Sequence, residues 1–579
     1  MADTAVDPIK PAASMLQGRP AISAQGVLLG VATLLLLLLV GYPLLWLLLG
    51  ALGVPGAVTG EHFTRIVTRS ANIEALANTL ILGFGAGLMS IVLGVPLAWA
   101  TARSTVPLRR TIHALVALSY ITPPYLTALA YIILLGPDAG LINRMLRATT
   151  AAQAPGPIDI FSMGGIIFVI GIHVFAFTYF LTYTALRTVD ASLEEAAECL
   201  GASRWQVVRK INLPLVAPAI TGGALLAAVD SLALFGPQAV LGIPARIVFL
   251  PTRIYSTISS YPPRWGEAAA LSLILVLLTV IGLGFQRYHL EGRSFVTVGG
   301  KGVRTKQINL GGWRWALLAF CLTVVFLSAL APIAVLTLTA TAKSWIDPPS
   351  LSNITFQHFR TALFEDQIAA RGISNSFQLA TAAAVTATAI GAAIAYLDVR
   401  TQVKGRKFLD YLAILPLGLP GTVMAVAVLL AFIRPPLVLY GTMWILLAAY
   451  VARFVPLATR SINSAFRQID PALEEAARIT GASWLTATRR ILVPLARPGI
   501  LVAFLLVFIP AFGELSATIL LYTGGTETIS VAIYRLNDLG QIEVVSALAV
   551  FTIVVILTLS LVCTWLSSGP GDRNTSADG

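Results

Sequence analysis

The chain has 579 residues, 57 % of them hydrophobic and only 11 % charged, with a formal net charge of +12. Soluble domains carry roughly 25 % charged residues, so this composition excludes one and fits a polytopic membrane protein. The positive charge is scattered, with no run of five basic residues and no basic stripe interleaved with aromatics, which excludes nucleic acid as a partner.

Residues 1–25 form a polar leader that reads as a cytoplasmic tail. The apolar run at 26–52 is long enough to cross a hydrocarbon core of about 30 Å and lacks a small-residue cleavage site, so it reads as a retained helix. Five more spans follow near 76–101, 111–136, 164–186, 214–243 and 267–286, and six more near 315–340, 373–399, 408–433, 442–463, 494–521 and 543–566. The expected fold is an all-α polytopic membrane protein with about 12 transmembrane helices in two homologous six-helix repeats. Its domains are 26–287 and 314–566, joined by a glycine-rich basic linker at 288–313 and followed by a tail at 567–579.

The duplication shows best in a polar loop. Residues 185–220 and 465–500, offset by 280, agree at 17 of 36 positions without a gap. At an offset of 297, Asn78-Thr79 corresponds to Asn375-Ser376, and Arg103, Arg109 and Pro123 correspond to Arg400, Arg406 and Pro420. With the N-terminus inside, 26 of the 39 basic residues fall on the cytoplasmic side, which places both termini and both loops there. Three isolated cysteines, Cys199, Cys321 and Cys563, suggest neither a disulfide framework nor a metal set. The G-x-x-x-x-G-K-[ST] spacing of a phosphate loop is absent, so ATP, if used, is handled by another subunit.

Each loop reads as helix, sharp turn, helix. Asp190 and Asp470 are good N-caps, Glu194, Glu195, Glu474 and Glu475 suit the first turns, and Gly201 and Gly481 suit a left-handed helix end. Ser203 and Ser483 cap the next helix, and Pro214 and Pro494 mark its return to the membrane. Alanines 196, 197, 476 and 477 leave one face nearly flat.

The pattern Glu194-Glu195-Ala196-Ala197 with Gly201, repeated as Glu474-Glu475-Ala476-Ala477 with Gly481, resembles the EAA loop of ATP-binding-cassette importer permeases. That resemblance implies a permease subunit of the bacterial inner membrane that binds no cofactor of its own. Two copies of an ATPase subunit, carrying ATP and Mg, would dock on the loops, and a soluble binding protein would deliver solute outside. In that family the loop forms a coupling helix, which makes Glu194 and Glu474 the expected partners of basic groups on the ATPase. The fused arrangement, with Phe-Gly-Pro at 235–237 and the stretch at 514–521, resembles ferric-iron permeases. Related branches carry thiamine, polyamines, sulfate or phosphonates.

Ionisable groups inside spans cost roughly 2.5 to 3.5 kcal/mol and are functional candidates. Asp230, Glu514 and Arg453 qualify as pathway residues, against the alternative of a buried Glu514–Arg453 pair; lone His173 reads as an interhelical hydrogen-bonding residue. Tyr120, Pro123, Pro124, Pro416, Pro420 and Gly421 are expected to break the third spans. No His/Cys cluster or Ser/His/Asp set suggests an enzyme, and TARSTVPLRR lacks the acid expected of a secondary transporter.

Overall fold

A computed structural model describes residues 24–150, 156–291, 307–347 and 350–567. Most of the two tails and of the linker read from the sequence lies outside them. Among the described residues ten helices are long and apolar enough to cross a membrane, and twelve when each of two bent helix pairs counts as one span. In the first half the spans are Gln25–Ala51, Ser70–Arg103, the pair Arg109–Ile121 and Pro124–Leu135, Met163–Thr188, Val208–Ala233 and Trp265–Tyr288. In the second they are Trp313–Ala340, Gln367–Arg400, the pair Arg406–Gly418 and Gly421–Phe432, Met443–Arg467, Trp484–Phe512 and Ile542–Leu566.

Both third spans break where the prolines fall. The chain bends by 98° around Pro123 and by 116° around Pro420, each of which caps the second limb in an extended conformation that a helix interior forbids. The fifth spans end sooner than their apolar runs. The first stops at Ala233 and resumes in a new direction as Phe235–Gly242, and the second stops at Phe512, with a short helix at Thr518–Leu521. Hydropathy is blind to such breaks because the chain stays apolar through them.

Four wide turns interrupt the spans, and all have one cause. The π-helical segments Leu37–Gly41, Val208–Asn212, Phe326–Leu330 and Thr488–Leu492 are each followed, two residues on, by a proline: Pro43, Pro214, Pro332 and Pro494. Proline supplies no N–H and its ring crowds the carbonyl four residues back. The residue before it reaches one residue further instead, as Leu213 N–H does to Val208 O and Val493 N–H to Thr488 O.

Within each half the second, fourth and fifth spans pack together. Small residues permit the closeness: at Gly94 and its counterpart Gly391 a Cβ would lie 2.9 Å from fourth-span atoms, the carbonyl of Phe175 and the side chain of Ala458 respectively. The halves interlock reciprocally, because the first span of each packs on the second limb of the other's broken third span. Tyr42 meets Phe432 at 5.7 Å between ring centroids, and Tyr131 donates to Leu327 O at 2.8 Å.

The matched dipeptides at the starts of the second spans hold the opposite end of the bundle together. Asn78 donates to Val248 O at 3.0 Å and Asn375 to Glu527 O at 2.9 Å, while Thr79 and Ser376 each accept from the first N–H of a following helix, Leu250 and Ile529, at 2.8 Å.

Candidate functional site

The two loops fold on one plan. Asp190 accepts from Ser192 N–H at 3.0 Å and opens Ala191–Cys199; Asp470 accepts from Ala472 N–H at 2.9 Å and opens Ala472–Ile479. Gly201 and Gly481 turn at φ of 85° and 92°, conformations in which a Cβ is strained. Ser203 and Ser483 then cap the next helix by accepting from Gln206 and Thr486 N–H. That helix continues through the proline-induced wide turn into the fifth span, so the loop and the membrane helix form one stiff arm.

Glu194 and Glu474 do not face outward as expected. Glu194 is buried, with Arg103 Nη2 2.7 Å from its Oε1, and Glu474 is buried, with Arg400 Nε at 3.1 Å. The same arginines donate to the chain just before the loop helix, Arg103 to Val189 O and Arg400 to Phe466 O and Ile469 O. A helix turns 100° per residue, so neighbouring acids point apart and one faces the protein. Glu195 and Glu475 are the exposed members, beside exposed Ala196 and Ala476 and half-buried Ala197 and Ala477. Leu193 and Leu473 are each 47 % exposed, and Leu200 and Ile479 reach 89 % and 87 %. Both copies thus leave apolar side chains uncovered, Leu193 and Leu473 at matched positions, Leu200 and Ile479 at neighbouring ones, since Thr480 stands where Leu200 does and Cys199 where Ile479 does.

Glu514, Arg453 and Asp230 converge where the halves meet. Arg453 Nη1 lies 3.2 Å from Glu514 Oε1 and fills the space a side chain at Gly421 would occupy. The Glu514 carboxylate also accepts from Ala517 N–H, Thr518 N–H and the Thr518 hydroxyl at about 3 Å, so it caps the short helix at 518–521. The structure thus contains the Glu514–Arg453 pair, with Glu514 buried and Arg453 27 % exposed. Asp230, half-buried, lies in the first half within electrostatic reach of Arg453 in the second. His173 is buried and stacks on exposed Tyr120 at 6.4 Å, with its Nδ1 lacking a hydrogen bond. Tyr125, two residues past Pro123, donates to Ser530 of the other half at 3.1 Å.

Sequence reasoning missed the arginine side of both loop clamps, although Arg103 and Arg400 were visible as a matched pair. It also missed Glu267, a fully buried carboxylate at the start of the sixth span ringed by Arg69, Arg253 and Arg264. Its signal was an acid at the edge of an apolar run, the usual place for a solvated one. Among the described residues no three His, Cys, Asp or Glu side chains are grouped to hold a metal ion.

Residues 90–293 and 386–569, one stretch in each half, match the family described as binding-protein-dependent transport system inner membrane component. The chain belongs to this family. It is thus a multi-pass inner-membrane permease, a transport subunit of an importer. Similar proteins include the ferric transport system permease protein FbpB of Actinobacillus pleuropneumoniae, 26 % identical over 554 residues and covering 95 % of this chain and 79 % of that protein. The putative ferric transport system permease protein FbpB 1 of Haemophilus influenzae is 28 % identical over 503 residues, 85 % of this chain and 77 % of its own. A bacterial ABC transporter involved in alginate import aligns with 44 % of this chain and 95 % of its own at a TM-score of 0.35 and 22 % identity.

Proposed function

We propose that this permease translocates ferric iron, released to it by a soluble binding protein on the outer side, and is driven by two copies of a separate ATPase on the cytoplasmic side. The observation that carries the coupling is the pair of uncovered ridges, Leu193-Ala196-Leu200 and Leu473-Ala476-Ile479, presented on matched arms. ATP and Mg belong to the ATPase, and this chain holds no cofactor. Glu195, Ala196, Ala197 and Gly201, with Glu475, Ala476, Ala477 and Gly481, make the two docking faces, while Glu194 and Glu474 act through the arginines that anchor them. The excess of basic residues on the loop side supports cytoplasmic termini.

Each part has a physical task. Closure of the ATPase pair moves both loops; the buried Arg103–Glu194 and Arg400–Glu474 clamps pass the displacement to the second spans, and the stiff arms pass it to the fifth. The seam holding Asp230, Arg453 and Glu514 lies between the moving halves and lines the route, where a carboxylate suits a hard cation. The names of the relatives support iron as cargo.

The test is reconstitution in proteoliposomes with the cognate ATPase and binding protein. Ferric-loaded binding protein should stimulate ATP hydrolysis and carry iron into the lumen. Stimulation by a thiamine, polyamine, sulfate or phosphonate complex without iron movement sinks the cargo, and an ATPase that co-purifies equally with loop-deleted permease sinks the docking faces.

A further inference from the structure

The second span carries Arg103 at its loop end and starts beside Arg69 about 50 Å away, since its 34 residues rise 1.5 Å each. At that remote end three arginines gather on one buried carboxylate. Arg69 Nη1 and Arg264 Nη1 lie 2.6 and 3.0 Å from Glu267 Oε2, and Arg253 Nη2 lies 3.8 Å from Oε1. Buried Asn72 locks the set by donating to Glu267 Oε1 at 3.1 Å and accepting from Arg253 Nε at 2.7 Å. One turn before Arg69, Arg65 pairs with Glu61. Four guanidiniums thus share two carboxylates, and the patch is positive.

One arginine would compensate a buried acid. Three exceed that need, and they come from three separate places in the chain: the break before the second span, the helix Leu250–Ser259 and the residue before the sixth span. Arg69 and Arg264 remain 39 % and 31 % exposed and contact Glu267 through one Nη1 each, of the five donors a guanidinium carries. Among the described residues the second half lacks this feature. Asp366 and Ala369 stand where Arg69 and Asn72 would repeat, and Glu527 has Arg535 as its arginine at 3.1 Å.

We propose that this cluster is the docking site for the acidic surface of the soluble binding protein, with Arg69 and Arg264 taking its Asp or Glu carboxylates. The inference rests on the importer reading given above. A small anion would need the centre of the cluster, which Glu267 already fills; the remaining donors lie at separated surface points, which suits carboxylates spaced on a rigid partner. Confinement to the first half gives one partner a single orientation on a duplicated platform. Electrostatic docking of this kind acts chiefly on the association rate and weakens with salt.

The experiment measures association of purified cognate binding protein with the permease–ATPase complex in nanodiscs at two salt concentrations. Association with wild type should slow as salt rises. Arg69→Gln with Arg264→Gln should reduce the low-salt rate at least tenfold and flatten the salt dependence, whereas Arg69→Lys with Arg264→Lys should keep most of both. A glutamine pair that retains the wild-type rate and salt slope overturns the proposal. Should the glutamine pair fold poorly, Arg65→Gln leaves the Glu267 contacts intact and should slow association about threefold; an unchanged rate overturns the proposal equally. A wild-type complex that binds no binding protein overturns the importer reading itself, and this site with it.

Discussion

Arg103 Nη2 and Glu194 Oε1 lie 2.7 Å apart with side chains 1 % and 4 % exposed, and the second half repeats the pairing as Arg400 and Glu474, each 6 % exposed. The residues of each pair are separated by 91 or 74 positions in the chain, and the arginines repeat at a different offset from the glutamates. The stretch between arginine and glutamate has therefore changed length by 17 residues around an unchanged contact. Its place explains that: it joins the end of the second span to the first turn of the loop helix, a second tie between loop and core beside the arm that runs into the fifth span.

Removing one partner of a buried ion pair leaves the other charge uncompensated, at a cost of about 3 to 5 kcal/mol. Arg103→Met alone should lower the thermal midpoint of the purified permease markedly. Arg103→Met with Glu194→Gln should recover much of that stability, yet ATPase stimulation should stay low because the clamp is gone. Tm and stimulated ATPase activity, measured together on both variants, separate the two effects; full recovery of both would remove the clamp from the mechanism.

At Gly201 and Gly481 the left-handed backbone costs a side chain roughly 1 to 2 kcal/mol, and no atom lies within 4 Å of a Cβ at either position. A substitution there strains the turn without a clash. Gly201→Val with Gly481→Val should leave the transmembrane core folded while weakening ATPase association at least tenfold, read by co-purification and surface plasmon resonance.

Much of this was legible in the chain. The twelve spans, the duplication, the loop caps and the proline breaks rest on local rules: apolar length, a missing N–H, a side chain bonding its own backbone. What was not legible depends on rotation and on distant partners. Glu194 and Glu195 are identical in sequence and opposite in role, and only the position of Arg103 decides which turns inward. Asn78-Thr79 was visible as a repeat, but its task of holding the chain at Val248 and Leu250 needs a contact across some 170 residues. The ends of the fifth spans stayed hidden because Phe235 and Leu515 keep the run apolar through a change of direction.

At the seam Glu514 has backbone and hydroxyl donors besides Arg453, whereas Asp230 has no ion pair within 4 Å among the described residues. Glu514→Ala should therefore destabilise the permease by about 1 to 3 kcal/mol through the unsatisfied N–H groups it leaves. Asp230→Asn should keep wild-type Tm and lower the transport rate at unchanged binding-protein affinity. Equal transport by Asp230→Asn and wild type in proteoliposomes would take Asp230 off the route.

The wide turns before Pro214 and Pro494 lead to the most specific expectation, because they set which way the loop helices face. A π-turn holds one residue more than an α-turn, so closing it rotates everything on one side by about 100° relative to the other. Pro214→Ala with Pro494→Ala restores two backbone donors and removes the crowding that opens the turns. The variant should be at least as stable as wild type in thermal unfolding. Its loops, however, would be pulled between the Arg103 and Arg400 clamps and a fifth span in altered register, and ATPase stimulation by loaded binding protein should fall by tenfold or more. Cysteines placed at Leu193 and Leu473 and spin-labelled would report the rotation as a changed interlabel distance; wild-type distance together with wild-type stimulation would show that the turns play no part in aiming the loops.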